Sequence, residues 1–382
     1  MEKAGTLTAR AAPRHLDYID ALRGFAITGV LATHIEGMFP DMFGPAQTLA
    51  RFATNGVHLF FMTSALTLMM SWHARQDGAS RFWIRRLFRI APMFWLAILV
   101  YAALHASGLW PQGAHDWFDV LLTFMFVHGW STYAINLVVP GCWTIGAEMT
   151  FYLLFPLIAT LVTSLPRAVL FVVLSLAVAI ASHAAIVPML EGLSKYDRDN
   201  FQAFWFPNTL LSFAIGCLFY FLLPWAPRTA WRANLPRAGI VVLLGYCLHA
   251  PAVLWFTSWQ SPVAMQLLTP LMCGAFALSL ANIPAPFLVN RVTRFIGKVS
   301  FSAYLLHFLV FHVLWVTIGP HHLGALLSTV LYLLTCCVVM AVTVAISWLT
   351  WRLIERPGVR AGERFIRHFL DPAPAVAAGA NM

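Results

Sequence analysis

The sequence predicts an all-α integral membrane protein with about ten transmembrane helices, one short additional helix, and both termini in the cytoplasm. Of its 382 residues, 60% are hydrophobic and only 10% are charged. A soluble domain carries about 25% charged residues, so a chain this apolar requires lipid around its helices. The third observation is that Lys and Arg are concentrated in alternate loops, as expected when loops lie on opposite sides of a membrane.

Each predicted span is an apolar run near the 20 or so residues needed to cross a bilayer. The spans lie near residues 17–36, 55–72, 88–107, 143–164, 168–187, 204–223, 238–257, 263–282, 299–318 and 326–350. A further apolar run, 118–130, is too short to cross, and we interpret it as a re-entrant or interfacial helix. The predicted membrane domain covers 16–357. A cytoplasmic tail, 1–15, precedes it, and a basic, then Ala/Pro-rich cytoplasmic tail, 358–382, follows.

The loop charges support this arrangement and exclude one class of partner. Twenty Lys and Arg residues fall in the predicted cytoplasmic segments, against three, Arg51, Lys195 and Arg198, in the outer loops. This asymmetry accounts for the net charge of +9, so we expect no nucleic acid partner. The six cysteines show no metal-ligand spacing, and we expect neither a metal site nor a permanently bound cofactor.

Three polar residues, Asp20, Arg23 and His34, interrupt the first span. Arg23 and His34 are eleven residues apart, which places them on one helix face about 16 Å apart along the axis. Asp20 lies at i−3 from Arg23 and can pair with it. Ionisable groups inside a membrane are costly and indicate function. The alternative is a structural ion pair together with an interfacial histidine.

A cluster of arginines precedes the third span. Within it Arg86 and Arg89, at i and i+3, share a helix face, whereas Arg81 lies a turn or more outside. Because guanidinium binds phosphate through two parallel hydrogen bonds, Arg86 and Arg89 are candidate ligands for a phosphorylated substrate. The alternative is that these arginines only anchor the helix on the cytoplasmic side.

Glu148 lies near the predicted outer end of the fourth span, with Tyr152 one turn later. We expect His34 at a similar depth, which predicts an acid/base pair in the outer half of the membrane. The alternative is a carboxylate that only bonds a neighbouring helix.

On the ninth span, Ser300, Tyr304 and His307 follow a 4-3 spacing and form a polar stripe on one helix face. Such a stripe is expected to face the helix bundle rather than lipid. A hydrogen-bonded helix contact without further function is the alternative here.

Six stretches resemble, in the same order, motifs of the membrane-bound acyltransferase 3 family. They are Tyr18–Gly24 followed by His34, Gly56–Phe61, Arg86–Arg89 before Pro92, Trp143–Glu148, Ile296–His307 and Glu355–Pro357. The resemblance implies a bacterial inner-membrane enzyme that O-acylates, often O-acetylates, a carbohydrate or glycolipid. Its co-substrate would be cytoplasmic acyl-CoA, with acetyl-CoA expected. We expect no fused SGNH hydrolase-like domain.

The resemblance also implies roles for individual residues. Arg23 and His34 match an essential arginine–histidine pair, Arg86 and Arg89 match an arginine pair tied to the acyl donor, and Glu148 matches the family's glutamate. Arg23 is expected to bind the donor together with Arg86 and Arg89. His34 is then the candidate general base, with Glu148 orienting or charge-balancing it. Supporting or acceptor-binding roles are expected for Asp20, Trp143, Tyr152, Ser300, Tyr304 and His307. The sequence departs from the family at His58, where Asp is usual, and at Ala65, where Gly is usual.

Two other functions fit parts of the sequence. A transporter of a polysaccharide precursor or small anion would also have many spans and intramembrane charges, but no repeated halves with matched broken helices are visible. An acyltransferase acting on a lipid or secondary metabolite would carry the same motifs. The expected partners are acyl-CoA, the carbohydrate or glycolipid acceptor, and membrane lipid.

Overall fold

The computed structural model describes residues 17–75, 78–110, 116–223, 262–282, 285–320 and 322–371. Within these ranges the chain is almost entirely helical, and no residue lies in a β-strand. The predicted all-α fold class is therefore confirmed for the described part of the chain.

Fourteen α-helices lie in these ranges, several separated only by short turns. In chain order they are α1 Asp17–Glu36, α2 Gly44–Phe52, α3 Gly56–Arg75, α4 Ala79–Ala106, α5 Trp117–Phe124, α6 Trp143–Leu161, α7 Leu165–Met189, α8 Lys195–Phe204, α9 Phe206–Leu222, α10 Pro262–Asn282, α11 Arg291–Lys298, α12 Ser300–Ile318, α13 Ala325–Thr350 and α14 Arg356–Phe369.

Nine of the ten predicted spans coincide with helices of this structure. The seventh, 238–257, lies outside the described residues. Within the described residues, six helical segments are long and apolar enough to cross a membrane: Ala79–Ala106, Trp143–Leu161, Leu165–Met189, Lys195–Leu222, Ser300–Ile318 and Ala325–Phe369. Helix α1 is less apolar because it carries Asp20, Arg23 and His34. The count of ten and the cytoplasmic termini stay predictions.

Helices α7 and α13 show why lipid is the expected surrounding medium. In α7 the side chains of Leu170, Val173 and Leu174 are all more than half exposed. Helix α13 likewise exposes Leu333 and Leu334. Contiguous apolar surface of this kind is not stable against water, and a bilayer covers it at no cost.

The short helix predicted within 118–130 is observed as α5, which has eight residues. Asp116 caps its first turn by accepting hydrogen bonds from the backbone N–H groups of Phe118 and Asp119. A 3₁₀ turn at His128–Trp130 follows. Eight residues rise about 12 Å, so this helix cannot cross a bilayer alone. Its re-entrant or interfacial position stays a prediction.

Close backbone contacts place α1 at the centre of the bundle. A Cβ at Gly24 or Gly297 would collide with backbone atoms of the facing helix, so α1 and α11 pack without a side chain between them. Gly56, at the start of α3, approaches the carbonyl of Ala26 in the same way. Small residues permit such packing in membranes. The consequence is that Arg23 is held at a fixed position inside the bundle.

Residues Trp351–Glu355 form a π-helical turn between α13 and α14. Beyond it, Gly358 and Gly362 bring α14 against Phe88 on α4. The predicted boundary between membrane domain and C-terminal tail, at 357/358, thus falls inside a packed helix. Residues 372–382, the Ala/Pro-rich segment, lie outside the described residues.

The orientation predicted from the loop charges can be tested by labelling. We expect a cysteine introduced at Lys195, which is exposed at the start of α8, to react with a membrane-impermeant maleimide from outside intact cells. A cysteine at Arg364 on α14 should react only after the cells are opened. Native cysteines are replaced first, and labelling of both sites in opened cells is the control. The reverse pattern would invert the topology.

Candidate functional site

One cavity inside the bundle collects most of the polar residues singled out in the sequence. Its volume is about 670 Å³, counting the space at its opening. Helices α1, α3, α4, α6 and α12 contribute its walls. The lining residues are Arg23, Val57, Phe60, Phe61, Ser64, Arg86, Arg89, Ile90, Thr144, Ile145, Glu148, Tyr152, Ser300, Phe301 and Tyr304. We call this space the main cavity.

Glu148 is fixed in the main cavity by two hydroxyl groups. Ser64 Oγ on α3 donates a hydrogen bond of 2.6 Å to Glu148 Oε1. The hydroxyl of Tyr152, one turn further along α6, donates to the same oxygen. Hydrogen bonds to a charged group are stronger than those between neutral groups. The carboxylate therefore has a defined position between α3 and α6.

The lining of the main cavity is rich in guanidinium groups. Of its charged side chains, three are Arg23, Arg86 and Arg89 and one is Glu148. Arg23 Nη2 donates a hydrogen bond of 3.2 Å to Thr67 Oγ1 on α3. The guanidinium of Arg86 lies 5.8 Å from the centre of the Tyr152 ring. Three cations around one carboxylate make a surface that favours an anionic or strongly polarised ligand.

A second carboxylate stands behind this lining. Glu355, 6% exposed, ends the π-helical turn and accepts a hydrogen bond of 2.9 Å from Ser302 Oγ. Its charge interacts with Arg89 and Arg23. Buried arginines need nearby negative charge to offset the loss of water. Glu355 thus stabilises the arginine cluster without lining the cavity.

His34 lies outside the main cavity, beside the histidine of the ninth predicted span. Its ring centre is 5.4 Å from that of His307 and 4.5 Å from that of Phe308. His307 follows Tyr304 by one turn, and the two ring centres are 5.6 Å apart. Since Tyr304 lines the main cavity, His34 is connected to it through two neighbouring rings on α12.

His307 has a defined protonation pattern. Its Nδ1 is 2.6 Å from the carbonyl oxygen of Tyr304. A carbonyl only accepts hydrogen bonds, so Nδ1 carries the proton and Nε2 keeps a free lone pair. Nε2 is buried without a hydrogen-bond partner. His307 therefore presents a basic nitrogen in the interior, close to His34.

The structure does not place Glu148 beside His34, contrary to the expected acid/base pair. Glu148 lies with Ser64 and the arginines, whereas His34 lies near the other end of α1. The expectation assumed that both residues occupy similar depths. That expectation of depth stays a prediction; Glu148, about one and a half turns inside α6, lines the main cavity together with Arg23, and His34 is not among the lining residues.

The supporting residues divide into two groups. Tyr152, Ser300 and Tyr304 line the main cavity, and Ser300, Tyr304 and His307 are buried, as expected of a stripe that faces the bundle. Trp143 instead stacks on Phe204, with ring centres 4.4 Å apart, and is not part of the lining.

Asp20 and His58 also lie outside the lining of the main cavity. Asp20 influences Arg23 electrostatically from its position one turn earlier on α1. His58, the departure from the family pattern, makes a hydrogen bond of 2.8 Å from Nδ1 to Ser212 Oγ on α9. His58 therefore connects α3 with α9.

Ser64, Thr67 and Glu355 are site residues that sequence reasoning did not select. Ser64 and Thr67 are three residues apart and form a small polar patch within the apolar span of α3. Isolated Ser and Thr often bond only their own helix, so this signal is weak. Glu355 belongs to the Glu-Arg-Pro motif, but the direction of its side chain depends on the π-helical turn. The sequence does not predict that turn.

We expect Glu148→Gln to destabilise the protein, whereas His34→Ala leaves its stability nearly unchanged. The glutamine removes the charge that faces Arg23 and Arg86, at a cost of about 1–3 kcal/mol. The measurement is thermal unfolding of the purified variants in detergent. Glu191→Gln, at an exposed position after α7, is the matched control. Equal melting temperatures for the two glutamine variants would contradict the assigned role of Glu148.

Comparison with known proteins finds several acyltransferases that are similar to this chain. The chain is 26% identical to the peptidoglycan O-acetyltransferase OatA of Listeria monocytogenes, over 95% of this chain and 58% of that protein. It is 26% identical to the acyltransferase MdmB of Streptomyces mycarofaciens, over 77% and 79% of the two chains. It is 23% identical to the O-acetyltransferase OatA of Staphylococcus aureus, over 90% and 57%.

The chain thus spans less than two thirds of the length of the two OatA proteins. No solved structure matches it. The acyltransferase 3 family model, described as an acyltransferase domain, matches residues 16–352, nearly the whole chain. The family resemblance carried by the six motifs is therefore confirmed, and the chain belongs to this family of acyltransferases.

Proposed function

We propose that this protein transfers an acyl group, most simply acetyl, from acyl-CoA to a hydroxyl group of a glycan or glycolipid on the opposite side of the membrane. The observation that carries the proposal is the main cavity. It joins three arginines, a fixed carboxylate and several hydroxyl groups inside an apolar bundle. The name of the Listeria relative supports O-acetylation of a glycan, whereas the names of the Staphylococcus relative and of MdmB specify no acceptor.

The arginines suit the donor end of this reaction. Acyl-CoA is a polyanion whose reactive group is a thioester at the tip of a long, uncharged pantetheine arm. Arg86 and Arg89 lie on α4 where the donor would enter, and Arg23 lies across the cavity on α1. These guanidinium groups would hold the anionic groups of the donor, so that the thioester arm extends past them toward His34.

The histidines suit the acceptor end. In the proposed step, the imidazole of His34 takes the proton from the acceptor hydroxyl as its oxygen attacks the thioester carbonyl. The C–O bond of the new ester forms as the C–S bond breaks, and the CoA sulfur leaves as a thiol after taking the proton back from the imidazolium of His34. His307 would act as a positioning residue, because its Nδ1–H is committed to Tyr304 and its Nε2 faces the interior.

The test is acyl transfer by the purified protein. Labelled acetyl-CoA and a muropeptide, as the glycan probe, are incubated with the protein in detergent, and acetyl esters on the muropeptide are measured. We expect label on the glycan. The control is Arg167→Ala, which changes a residue outside the cavity and should give the same reaction. A transporter would leave the muropeptide without label, and that result would overturn the proposal.

A further inference from the structure

A second pocket lies beside the main cavity, where α3 ends and α4 begins. Its volume is about 360 Å³, counting the space at its opening, and it is lined by Ser71, Trp72, Arg75, Phe82, Arg85 and Arg86. We call it the arginine pocket. Arg86 lines both spaces. The two pockets therefore adjoin at a single guanidinium.

The arginine pocket is strongly basic, and a carboxylate of the protein itself sits at it. Glu363 on α14 accepts a hydrogen bond of 3.0 Å from Arg85 Nε and lies 3.5 Å from Arg75 Nη1. Three guanidinium groups thus line the arginine pocket, and the carboxylate of Glu363 pairs with two of them. Arg85 is only 16% exposed, so its interaction with an anion is poorly screened by water.

Arg86 shows that this basic surface is incompletely satisfied. Its Nε is buried and has no hydrogen-bond partner in the described part of the chain. A buried donor without a partner is costly, and a charged one more so. This unsatisfied N–H group of Arg86 lies at the junction of the two pockets. An elongated anion that reached both pockets would pass it.

We propose that the arginine pocket binds the phosphorylated nucleotide end of the acyl donor, the 3′-phosphate of coenzyme A in particular, and that this phosphate replaces Glu363 as the partner of Arg85. The inference rests on the proposed function and extends it to residues outside the main cavity. Guanidinium pairs with a phosphomonoester dianion more strongly than with a carboxylate. The pantetheine arm then passes Arg86 and carries the thioester through the main cavity toward His34.

This arrangement gives the acidic residue of α14 a role. In the protein without donor, Glu363 holds α14 against α3 and α4. A bound phosphate competes with it, so the carboxylate weakens donor binding while it stabilises the empty pocket. Variants at Arg85 and Glu363 should consequently change donor affinity in opposite directions, which a merely structural ion pair would not do.

The experiment compares coenzyme A with dephospho-coenzyme A, which lacks only the 3′-phosphate. Equilibrium binding of each is measured to the full chain in uncharged nanodiscs. We expect the wild type to prefer coenzyme A by about tenfold or more. Arg85→Gln should reduce this preference to within about twofold, and Glu363→Gln should strengthen coenzyme A binding several-fold. Arg167→Ala is the matched control, and we expect it to keep the wild-type preference.

The outcomes separate this inference from the proposed function. If Arg85→Gln keeps the full preference for coenzyme A, or if the wild type has none, the inference is overturned even when acetyl transfer is observed. If the preference depends on Arg85 but no acetyl is transferred, the subsite stands and the function fails. Loss of coenzyme A binding on adding phosphatidylglycerol to the nanodiscs, in the wild type but not in Arg85→Gln, would assign the pocket to lipid headgroups and overturn it.

Discussion

Replacing His34 with alanine is expected to cut acyl transfer by about 10²–10⁴-fold, the contribution of a positioned general base. Imidazole titrates close to neutral pH and can take a proton from a hydroxyl, whereas the guanidinium of Arg23 stays protonated and can only bind or stabilise charge. His34 is outside the main cavity, so coenzyme A affinity and thermal stability should change little. Turnover, coenzyme A affinity and melting temperature are measured for each variant.

The control for His34→Ala is His183→Ala on α7, which removes the same side chain from a helix that contributes nothing to the cavity. We expect this variant to retain wild-type turnover. A His34→Ala enzyme that turns over within a few-fold of wild type would show that another group takes the proton. The family assignment would be unaffected.

Arg86→Ala is expected to weaken coenzyme A binding by roughly 10–100-fold, the range of one or two lost charge-assisted hydrogen bonds. Arg86 lines both pockets and has an unsatisfied Nε, so its loss affects the donor wherever it passes between them. Arg89→Ala should have a smaller but clear effect, because Arg89 lines the main cavity only. Binding of radiolabelled coenzyme A to the purified variants measures both.

Arg81 provides the comparison for Arg86. It belongs to the same run of arginines but forms an ion pair with Asp371 and lines neither pocket. Arg81→Ala should therefore bind coenzyme A within about twofold of wild type. Small and equal effects at Arg81, Arg86 and Arg89 would favour the alternative in which these residues only anchor the helix at the membrane surface.

The helices and their order were predictable because a membrane span is a strong signal. Twenty apolar residues must be helical to satisfy their backbone in lipid, so composition alone locates such segments. The short helix α5 was also predictable, since its apolar run is too short to cross. Most of helix α14 was assigned to the C-terminal tail, because glycines such as Gly358 and Gly362 are common in tails. Their contact with Phe88, which packs the helix against α4, is visible only in the structure.

The sequence predicted which residues form the candidate site, but not which of them lie together. Arg23, Arg86, Arg89 and Glu148 were selected as costly charges in apolar spans, and the structure brings these four to one cavity. The sequence did not predict that Glu148 shares the cavity with the arginines while His34 lies outside its lining, because the packing of separate helices decides which side chains meet. The contact between His34 and His307 joins residues 273 positions apart in sequence, which no local pattern predicts.

The central claim, that donor and acceptor meet from opposite sides of the membrane, is tested most directly in proteoliposomes of known orientation. Labelled acetyl-CoA is supplied only on the side that carries α14, and the muropeptide only on the other side. We expect acetyl esters on the muropeptide in this arrangement, and none when donor and acceptor are both on the α14 side. Product formed only when both share one compartment would contradict it.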